Sequence, residues 1–514
     1  MGAIRLDLSA CGKGLSWVLE EPNLEFGKGE HCPDPKAGIA LFGPPYASGE
    51  SPSPSSLRIG VIGSADTVEL VKGWVRLCKN PIASVRAGSI PEIDFPGFRK
   101  DRAFQCEASV DDGLLEVIPQ GQLKELGRLR EAPARMSAAV DEIVGCLSNL
   151  AGREPRPNVT IIALPKEVID SCVLGIDRFG RRSSGRRSRS TKQEPKGRQV
   201  RIEDFLPSYE AKELEITGAK HYSNLRRAIK LEALKLGLET QIVWQSTLEQ
   251  VKGSQDMATV AWNFFVGMYY KGGGHPWHLG KPQMGTCYVG VSFFFPESAK
   301  EPSGLDASIA QVFSHTGDGM VIRGDRAAQY DSENRTPRLS MHSARSLVEK
   351  ALNEYKSQTK TVPSRLVIHK SSGYSEDEIE GIRSAASEIS RVDLLAIDSS
   401  RYSFYRCGLY PPLRGTVIPL TGYGSLVYTK AYSPYLGTYP GLGVPRPLVI
   451  REHHGDSTVS EIARDILALT KLNWNTADFS CGMPITLNYS RKVGEILKQG
   501  LVDGVEKWRF SYFI

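Results

Sequence analysis

The sequence of 514 residues lacks long hydrophobic runs, a secretory signal and paired cysteines. No apolar stretch approaches the roughly 18 residues that a membrane-spanning helix needs, which excludes an integral membrane protein. The first residues show no basic stretch followed by an apolar one, so we expect no secretion. Nine cysteines are scattered without a Cys-x-x-Cys pair, a pattern typical of reduced thiols, and this predicts a cytoplasmic protein.

The composition is that of an ordinary globular protein, with 40% hydrophobic and 24% charged residues, which excludes collagen-like, disordered and disulfide-rich classes. The length predicts two to four domains, at roughly 100–200 residues each. Ten of the basic residues and one acid, Glu194, lie in the segment 178–201, while the whole chain has a net charge of only +6. This segment is expected to be a solvated loop or, alternatively, to follow a nucleic-acid backbone.

Strand and helix patterns alternate along the first half of the chain. A Pro/Ser/Gly-rich stretch, 43–56, precedes a buried strand at 57–62 and a helix at 67–78. A helix at 136–150 and a strand at 158–164 repeat this order, which predicts an α/β fold with a parallel sheet. A glycine cluster after Lys271 indicates a domain boundary near residue 275. The predicted parts are an N-terminal segment of unknown role (1–56), a first domain (57–274) that contains the basic loop, and a second domain (275–514).

The second half is predicted to combine strands with amphipathic helices. A strand of β-branched and aromatic residues spans 286–295, and a capping-box pattern begins a helix at Ser375. A closing helix is predicted at 492–500.

One group of residues points to nucleic-acid binding. Apolar residues at a spacing of three or four predict a helix that ends at Leu236 and is capped by Thr217 or Ser223. Within it, Tyr222 and Arg226 are four residues apart and share a helix face. An aromatic ring beside a cation can stack on a terminal base and neutralise a phosphate. The alternative is a partly buried tyrosine beside a solvated arginine.

Two further polar residues extend this group, and together they resemble the guide 5′-end pocket in the MID domain of Argonaute proteins. The likeness is carried by Tyr222-Ser-Asn-Leu-Arg226-Arg, Thr240-Gln241 and Lys271-Gly-Gly. It implies that Tyr222 stacks on the first guide base and that Arg226, Gln241 and Lys271 bind the 5′ phosphate. Two features differ from the family pattern: Gly267 stands where a second lysine is usual, and the gap between Arg226 and Gln241 is longer.

The second half resembles a PIWI domain, the RNase H-like domain of the same family. The stretches that carry the likeness are Tyr288-Val-Gly-Val-Ser292, Val367-Ile-His-Lys-Ser371-Ser-Gly, Pro484-Ile-Thr-Leu-Asn488-Tyr and the apolar end Ser511-Tyr-Phe-Ile514. The resemblance implies a Rossmann-like MID domain followed by an RNase H-like PIWI domain. It also implies that the terminal carboxylate of Ile514 helps to hold a structural Mg²⁺ ion on the guide's 5′ end.

The nuclease chemistry of this fold requires carboxylates that hold two divalent ions about 4 Å apart. At the positions that match the family's acidic residues, this sequence has Ser292, Ser371 and Asn488. Neutral hydroxyl and amide groups do not supply the negative charge that attracts a hard dication. Neither 289–295 nor 367–374 contains Asp or Glu, so a small shift in alignment restores neither ligand. We expect no catalytic residues and no target cleavage by this chain.

The length leaves no room for the N and PAZ domains of a long Argonaute, so the sequence resembles a short, catalytically inactive prokaryotic Argonaute. The resemblance implies a guide RNA, a single-stranded DNA target from plasmid or phage, and an associated APAZ-effector protein. That partner forms a heterodimer, or a higher oligomer on activation, and carries a TIR or sirtuin-like NADase or a nuclease, whose activity leads to abortive infection. The alternatives are a self-sufficient guided endonuclease and a single-strand binder that uses no guide.

Overall fold

The computed structural model describes most of the chain. The described ranges are 16–45, 53–85, 93–172, 224–249, 256–280, 284–293, 308–313, 319–324, 330–331, 336–404, 411–420, 424–441, 443–500 and 507–514. The basic loop predicted at 178–201 lies outside them. Within the described residues, no helix is both long enough and apolar enough to cross a membrane.

The described chain forms strands and helices with the following bounds. The strands are β1 (Trp17–Val18), β2 (Leu24–Glu25), β3 (His31–Cys32), β4 (Ser56–Gly63), β5 (Glu107–Val117), β6 (Val159–Leu164), β7 (Thr240–Trp244), β8 (His278–Leu279), β9 (Thr286–Phe293), β10 (Ser308–Phe313), β11 (Gly319–Arg323), β12 (Tyr330–Asp331), β13 (Thr336–Pro337), β14 (Arg365–Lys370), β15 (Arg391–Ser399), β16 (Thr416–Leu420), β17 (Gly424–Val427), β18 (Leu448–His454) and β19 (Lys507–Arg509). The helices are α1 (Pro35–Phe42), α2 (Ala65–Leu77), α3 (Gln120–Arg128), α4 (Ala132–Ala151), α5 (Lys166–Cys172), α6 (Leu225–Lys235), α7 (Gln245–Leu248), α8 (Met257–Lys271), α9 (Met341–Thr359), α10 (Glu376–Ala385), α11 (Val459–Leu469) and α12 (Ile485–Leu497).

The first sheet contains four parallel strands in the order β5-β4-β6-β7. Helices α3 to α6 contribute to the apolar core on one face, and α2 and α8 contribute to the core on the other. Strands buried on both faces are typical of parallel sheets, and all six residues of β6 are buried. The predicted strand at 57–62 and helix at 67–78 are observed as β4 and α2.

The second sheet contains ten strands in the order β1-β16-β17-β18-β15-β14-β9-β10-β11-β19. Its central strand β14 is parallel to both neighbours, β9 and β15, and the outer pairs are antiparallel. Helices α9 and α10 pack on one face, while α11 and α12 pack on the other. A parallel sheet followed by a larger mixed sheet confirms the predicted α/β fold class.

The N-terminal segment, residues 16–45, packs on both parts of the chain. Strand β1 extends the edge of the ten-stranded sheet by pairing with β16, and β2 lies between β3 and β8 in a separate small sheet. The Glu21 carboxylate lies 2.8 Å from both the Arg414 guanidinium and the Lys471 ammonium, and those two side chains are buried. The described part of the segment with no predicted role therefore belongs to the folded body.

Two helix starts differ from the prediction. Helix α6 begins at Leu225, and the Asn224 side chain caps it by accepting a hydrogen bond from the Arg227 N–H, so neither Thr217 nor Ser223 is the cap. Helix α12 begins at Ile485, seven residues before the predicted start at 492. The β-branched residues at 485–486 gave no helical signal, but they pack against β9 and β14.

Candidate nucleic-acid interface

Helix α6 carries two cations that are one helical turn apart, Arg226 and Lys230. Residues at i and i+4 lie on one face of a helix, so the two side chains project in the same direction. Arg226 is exposed, whereas Lys230 is only 1% exposed, because α6 packs between the first sheet and helix α12. An ion pair between Arg227 and Glu495 of α12, with atoms 2.8 Å apart, also joins the two helices.

The Lys230 ammonium connects the two halves of the molecule. It donates one hydrogen bond to the Thr240 carbonyl, at 2.5 Å, and a second to the main-chain oxygen of Ile514. Sequence reasoning missed this residue. The sequence spacing could have indicated it. The distance from Arg226 to Gln241 is longer than the family pattern, and Lys230 is four residues closer to Gln241.

Gln241 and Lys271 meet beside Lys230. Gln241 is the second residue of β7, and Lys271 is the last residue of α8, so the strand and the helix end bring them together. The Lys271 ammonium donates a hydrogen bond to the Gln241 side-chain oxygen, and the lysine is only 2% exposed. A Cβ added at Gly267 would lie 3.9 Å from the same oxygen, so a residue at position 267 would face this site.

A further cation, Lys492, approaches from α12. Its ammonium lies 5.5 Å from the centre of the Tyr489 ring. We name the group formed by Arg226, Lys230, Gln241, Lys271 and Lys492 the cationic pocket. The structure thus brings together the predicted residues Arg226, Gln241, Lys271 and Ile514. The predicted stacking residue, Tyr222, lies outside the described part of the chain.

Burial and mutual repulsion disfavour the charges in the cationic pocket. Burial, followed by repulsion from Lys271 and Arg226, places the pKa of Lys230 well below its usual value. The pKa of Lys271 is lowered to about 7 and that of Lys492 to about 8, again chiefly by burial. An anion placed among these groups would restore their positive charge.

The Mg²⁺ ion expected on Ile514 stays a prediction. One oxygen of the Ile514 carboxylate accepts a hydrogen bond from the Lys230 ammonium, and a carboxylate has a second oxygen that can accept or bind a cation. The adjacent carboxylate, Glu239, accepts a hydrogen bond from the Ser511 hydroxyl through Oε1, while its Oε2 is buried without a hydrogen-bond partner in the described structure. Burial raises the pKa of Glu239, which favours its neutral form. Across the described ranges, no three His, Cys, Asp or Glu side chains are grouped so that they could hold a metal ion.

The three positions that match the family's catalytic residues meet at one corner of the ten-stranded sheet. Strands β9 and β14 are parallel neighbours with Val291 opposite Lys370, so Ser292 and Ser371 lie at the same carboxyl end. Asn488 lies in the first turn of α12, and the Ser292 hydroxyl donates to the Ser490 carbonyl of that helix at 3.0 Å. This corner therefore presents hydroxyl and amide groups.

The carboxylates of Glu452 and Asp398 lie near this corner. Asp398 of β15 lies 3.8 Å from the Arg451 guanidinium, which also donates a hydrogen bond to the Ser371 carbonyl. Glu452 of β18 accepts a hydrogen bond from the Tyr374 N–H at 2.9 Å and so holds the loop after Ser371.

Asp393 and Asp465 bind the Arg365 guanidinium at 2.8 and 2.7 Å. Arg365 begins β14, so these two ion pairs lie about 17 Å from Lys370 at the carboxyl end of the strand, at roughly 3.3 Å per residue.

Comparison with known proteins relates the fold to solved Argonaute structures. No protein-family model matches the sequence, and neither does any curated protein. The structure resembles Clostridium butyricum Argonaute bound to a guide DNA and a 19-mer target DNA, with a TM-score of 0.59 and 13% identity over 97% of this chain and 54% of that one. It also resembles Aa-Ago with externally bound siRNA (TM-score 0.54, 14% identity, 98% of this chain and 56% of that one) and Aquifex aeolicus Argonaute (TM-score 0.52, 13% identity, 98% and 57%).

These likenesses show an Argonaute-like fold, with a MID-type domain followed by a PIWI-type domain. The chain spans just over half the length of the structures it matches. The cationic pocket lies where the two domains of this fold meet, because α6, β7 and α8 belong to the first and α12 and Ile514 to the second.

Proposed function

We propose that this chain reads nucleic-acid sequence through a short guide whose 5′ end it holds in the cationic pocket. The observation that carries the proposal is the cluster of two buried cations, Lys230 and Lys271, with the half-buried Lys492, at the junction of two domains with an Argonaute-like fold. The likeness to an Argonaute bound to guide and target DNA supports the same function. The target strand would then be recognised by base pairing with the guide.

The chemistry of the pocket favours a terminal phosphate. Buried cations are stable only when they are paired, and the Glu239 carboxylate beside them has a raised pKa, which favours its neutral form. A terminal phosphate carries up to two negative charges and three acceptor oxygens, whereas an internal phosphodiester carries one charge. The pocket would therefore distinguish the 5′ end of a guide from the rest of its backbone.

We further propose that the PIWI-type domain recognises the target without cleaving it. Ser292, Ser371 and Asn488 supply no carboxylate at the corner where the family's metal ligands stand. The nearby acids Glu452 and Asp398 already have partners, the Tyr374 N–H and the Arg451 guanidinium. A pair of Mg²⁺ ions requires several negatively charged oxygen ligands.

A chain that detects a target without cutting it needs an effector from another protein. We propose that the guide is RNA, that the target is invading plasmid or phage DNA, and that an APAZ-effector protein is the partner. Its TIR or sirtuin-like NADase or nuclease domain would be activated by guide and target pairing. These finer assignments rest on the sequence resemblance.

The test measures binding of one short RNA with either a 5′ phosphate or a 5′ hydroxyl, by fluorescence anisotropy. The unaltered chain is expected to prefer the phosphorylated RNA. Lys271→Met is expected to reduce that preference about tenfold to a hundredfold, because hydrogen bonds to charged groups contribute roughly 1.5–3 kcal/mol. The matched control is Lys124→Met, which removes an exposed lysine of α3 outside the pocket.

Two results would favour the alternatives. Equal binding of both RNAs would indicate a single-strand binder without a guide function. Cleavage of a complementary DNA in Mg²⁺ or Mn²⁺, abolished by changing a carboxylate in 275–514, would indicate a guided endonuclease. Co-purification with an APAZ protein and short RNAs of uniform 5′ end would support the proposed partner.

A further inference from the structure

We propose that a charged cleft on the first domain binds the sugar–phosphate backbone of the target strand where that strand extends past the guide's 5′ end. The inference rests on the proposed guide function, but it concerns a surface separate from the cationic pocket. The cleft lies between the end of α2 and the loop that precedes β5, and its volume is about 580 Å³.

The first argument is the charge of the cleft. It is lined by Arg76, Lys79, Asn80, Arg99, Lys100, Asp101 and Glu107. Both carboxylates are paired within the cleft, because Glu107 lies 2.9 Å from the Lys79 ammonium and Asp101 lies 2.9 Å from the Arg99 guanidinium. Arg76 and Lys100 are exposed and form no ion pair with any described residue. Their two positive charges are therefore available to an anionic ligand.

The second argument is the chemical character of the lining. Pockets for small molecules are mostly apolar, with a few polar groups that fix orientation. Every residue that lines this cleft is polar or charged. A nucleic-acid backbone presents a row of phosphates and is bound chiefly by cationic side chains, so it suits the cleft better than a metabolite does.

The third argument is the rigidity of the loop that carries two of the cations. Phe98 and Phe104 are buried on either side of them, with their ring centres 4.9 Å apart, and Phe98 stacks on Phe265 of α8 at 4.6 Å. The Phe98 N–H donates a hydrogen bond to the Cys78 carbonyl at the end of α2, at 2.8 Å. A loop fixed in this way loses little conformational freedom when a ligand binds.

The fourth argument is the position of the cleft relative to the cationic pocket. Glu107 begins β5 and Thr240 begins β7, so both sites lie at the amino ends of strands in the same parallel sheet. These two strands are three strand spacings apart, about 14 Å at roughly 4.8 Å each. The cleft is lined by the first domain alone, and it therefore lies outside the junction of the two domains where the guide is held.

The direction of base pairing identifies the strand that reaches the cleft. Guide and target are antiparallel, so the target continues with its 3′ end past the guide's 5′ nucleotide. A strand that advances roughly 3.4 Å per nucleotide covers about 14 Å in about four nucleotides. The unpaired 3′ flank of the target is thus long enough to reach the cleft after a few nucleotides.

The experiment measures the affinity of the guide-loaded chain for the DNA complement of the guide, alone or with six thymidines added at its 3′ or its 5′ end. We expect the 3′ extension to raise the affinity about threefold to tenfold, as for exposed ion pairs, and the 5′ extension to change it by less than twofold. Neutral methylphosphonate linkages in the 3′ extension are expected to abolish the gain. A 3′ extension that adds no more than the 5′ extension would overturn the inference while leaving guide-dependent recognition intact. Equal binding of a DNA that is not complementary to the guide would instead contradict the proposed function.

A double variant tests the cleft directly. Arg76→Gln with Lys100→Gln is expected to cancel the gain and to lower the slope of log affinity against log salt by about 1.4, at roughly 0.7 for each phosphate contact of a single strand. The matched control is Lys124→Gln with Arg128→Gln, which removes two exposed cations from α3, beyond the carboxyl end of β5. Retention of the full gain by the cleft variant would overturn the inference, because another surface would then hold the flank. Loss of a co-purified protein from the cleft variant, with no gain from the 3′ extension, would assign the cleft to a protein partner and also overturn it.

Discussion

The lysines of the cationic pocket hold protons weakly, and this gives phosphate binding a defined dependence on pH. Lys271 has a pKa of about 7 and Lys492 of about 8, while Lys230 is also lowered. A bound phosphate raises all three pKa values because it stabilises the charged form. Binding of a phosphate therefore takes up protons at any pH above the pKa values that the lysines have without it. The other charged neighbours are Arg226, Glu239, Glu495 and the Ile514 carboxylate.

We expect affinity for 5′-phosphorylated RNA to fall as the pH rises from 7 to 9. The fall is at most about tenfold per pH unit for each proton taken up. Below pH 7 the affinity for 5′-phosphorylated RNA stops rising. Lys271 is then already charged without the RNA, and the phosphate begins to bind its own second proton. Anisotropy at several pH values measures the slope, with 5′-hydroxyl RNA as the control. The same slope for both RNAs would show that the pocket lysines do not contact the 5′ group.

Among the single residues of the cationic pocket, the sequence indicated Arg226, Gln241 and Lys271 but not Lys230. The first three stand in a recognisable spacing, and the structure brings them together. Lys230 is a lysine among apolar residues of an amphipathic helix, where a solvated position is the ordinary expectation. Its burial follows from the packing of α12 and residues 510–513 against α6, which joins parts of the chain nearly 300 residues apart.

At the scale of elements, one carboxylate of the N-terminal segment, that of Glu21, lies between two buried cations of the second half of the chain. Glu21 accepts hydrogen bonds from Arg414 and contacts Lys471, and it is the acid that compensates both buried cations. Its own pKa is lowered: burial opposes ionisation, but the attraction of the two cations outweighs it. Lys471 also lies 3.4 Å from the centre of the Phe479 ring.

Glu21→Gln is expected to destabilise the chain by about 3–5 kcal/mol, because it leaves two buried cations without their anion. Denaturant unfolding measures the loss, and hydrogen exchange at β1 and β16 locates it. Glu20→Gln is the matched control, since the neighbouring carboxylate is exposed. Equal stability of the two variants would mean that Arg414 and Lys471 are compensated by other groups.

Helices and strands whose apolar residues recur at a regular spacing could be predicted from the sequence. Strands that form only by pairing with a distant part of the chain could not. Strand β4 and helix α2 follow apolar patterns and match their predicted positions. Strand β5 has a polar sequence with two aspartates and a glycine, so its pairing with β4 gave no local signal. Strand β1 contains only two residues, which pair with β16 about 400 positions away.

At the scale of the whole molecule, the pocket draws on both domains. Helices α6 and α8 and strand β7 form one side, while α12 and Ile514 form the other. The ion pair between Arg227 and Glu495 spans the same junction. A ligand in the cationic pocket contacts both domains at once. Its binding energy therefore stabilises the contact between the domains as well as the fold of each domain.

We expect 5′-phosphorylated RNA to raise the thermal unfolding temperature of the whole chain in one transition. At a concentration 100 times the dissociation constant, the gain is about 2.7 kcal/mol. Differential scanning calorimetry measures the shift, and RNA with a 5′ hydroxyl is the control. Separate transitions, with only one of them shifted by the phosphorylated RNA, would indicate that the ligand contacts a single domain.

The pairing of β1 with β16 also sets an order of events during synthesis on the ribosome. The four strands of the first sheet all lie between residues 56 and 244, so that sheet can form while the rest of the chain is still being made. Trp17 and Val18 have to wait for residues 416–417 before their edge of the ten-stranded sheet can close. The backbone N–H and C=O groups of these two residues therefore rely on water as partners while the roughly 400 residues that separate them from β16 are made, so closure of this edge is a late step of folding.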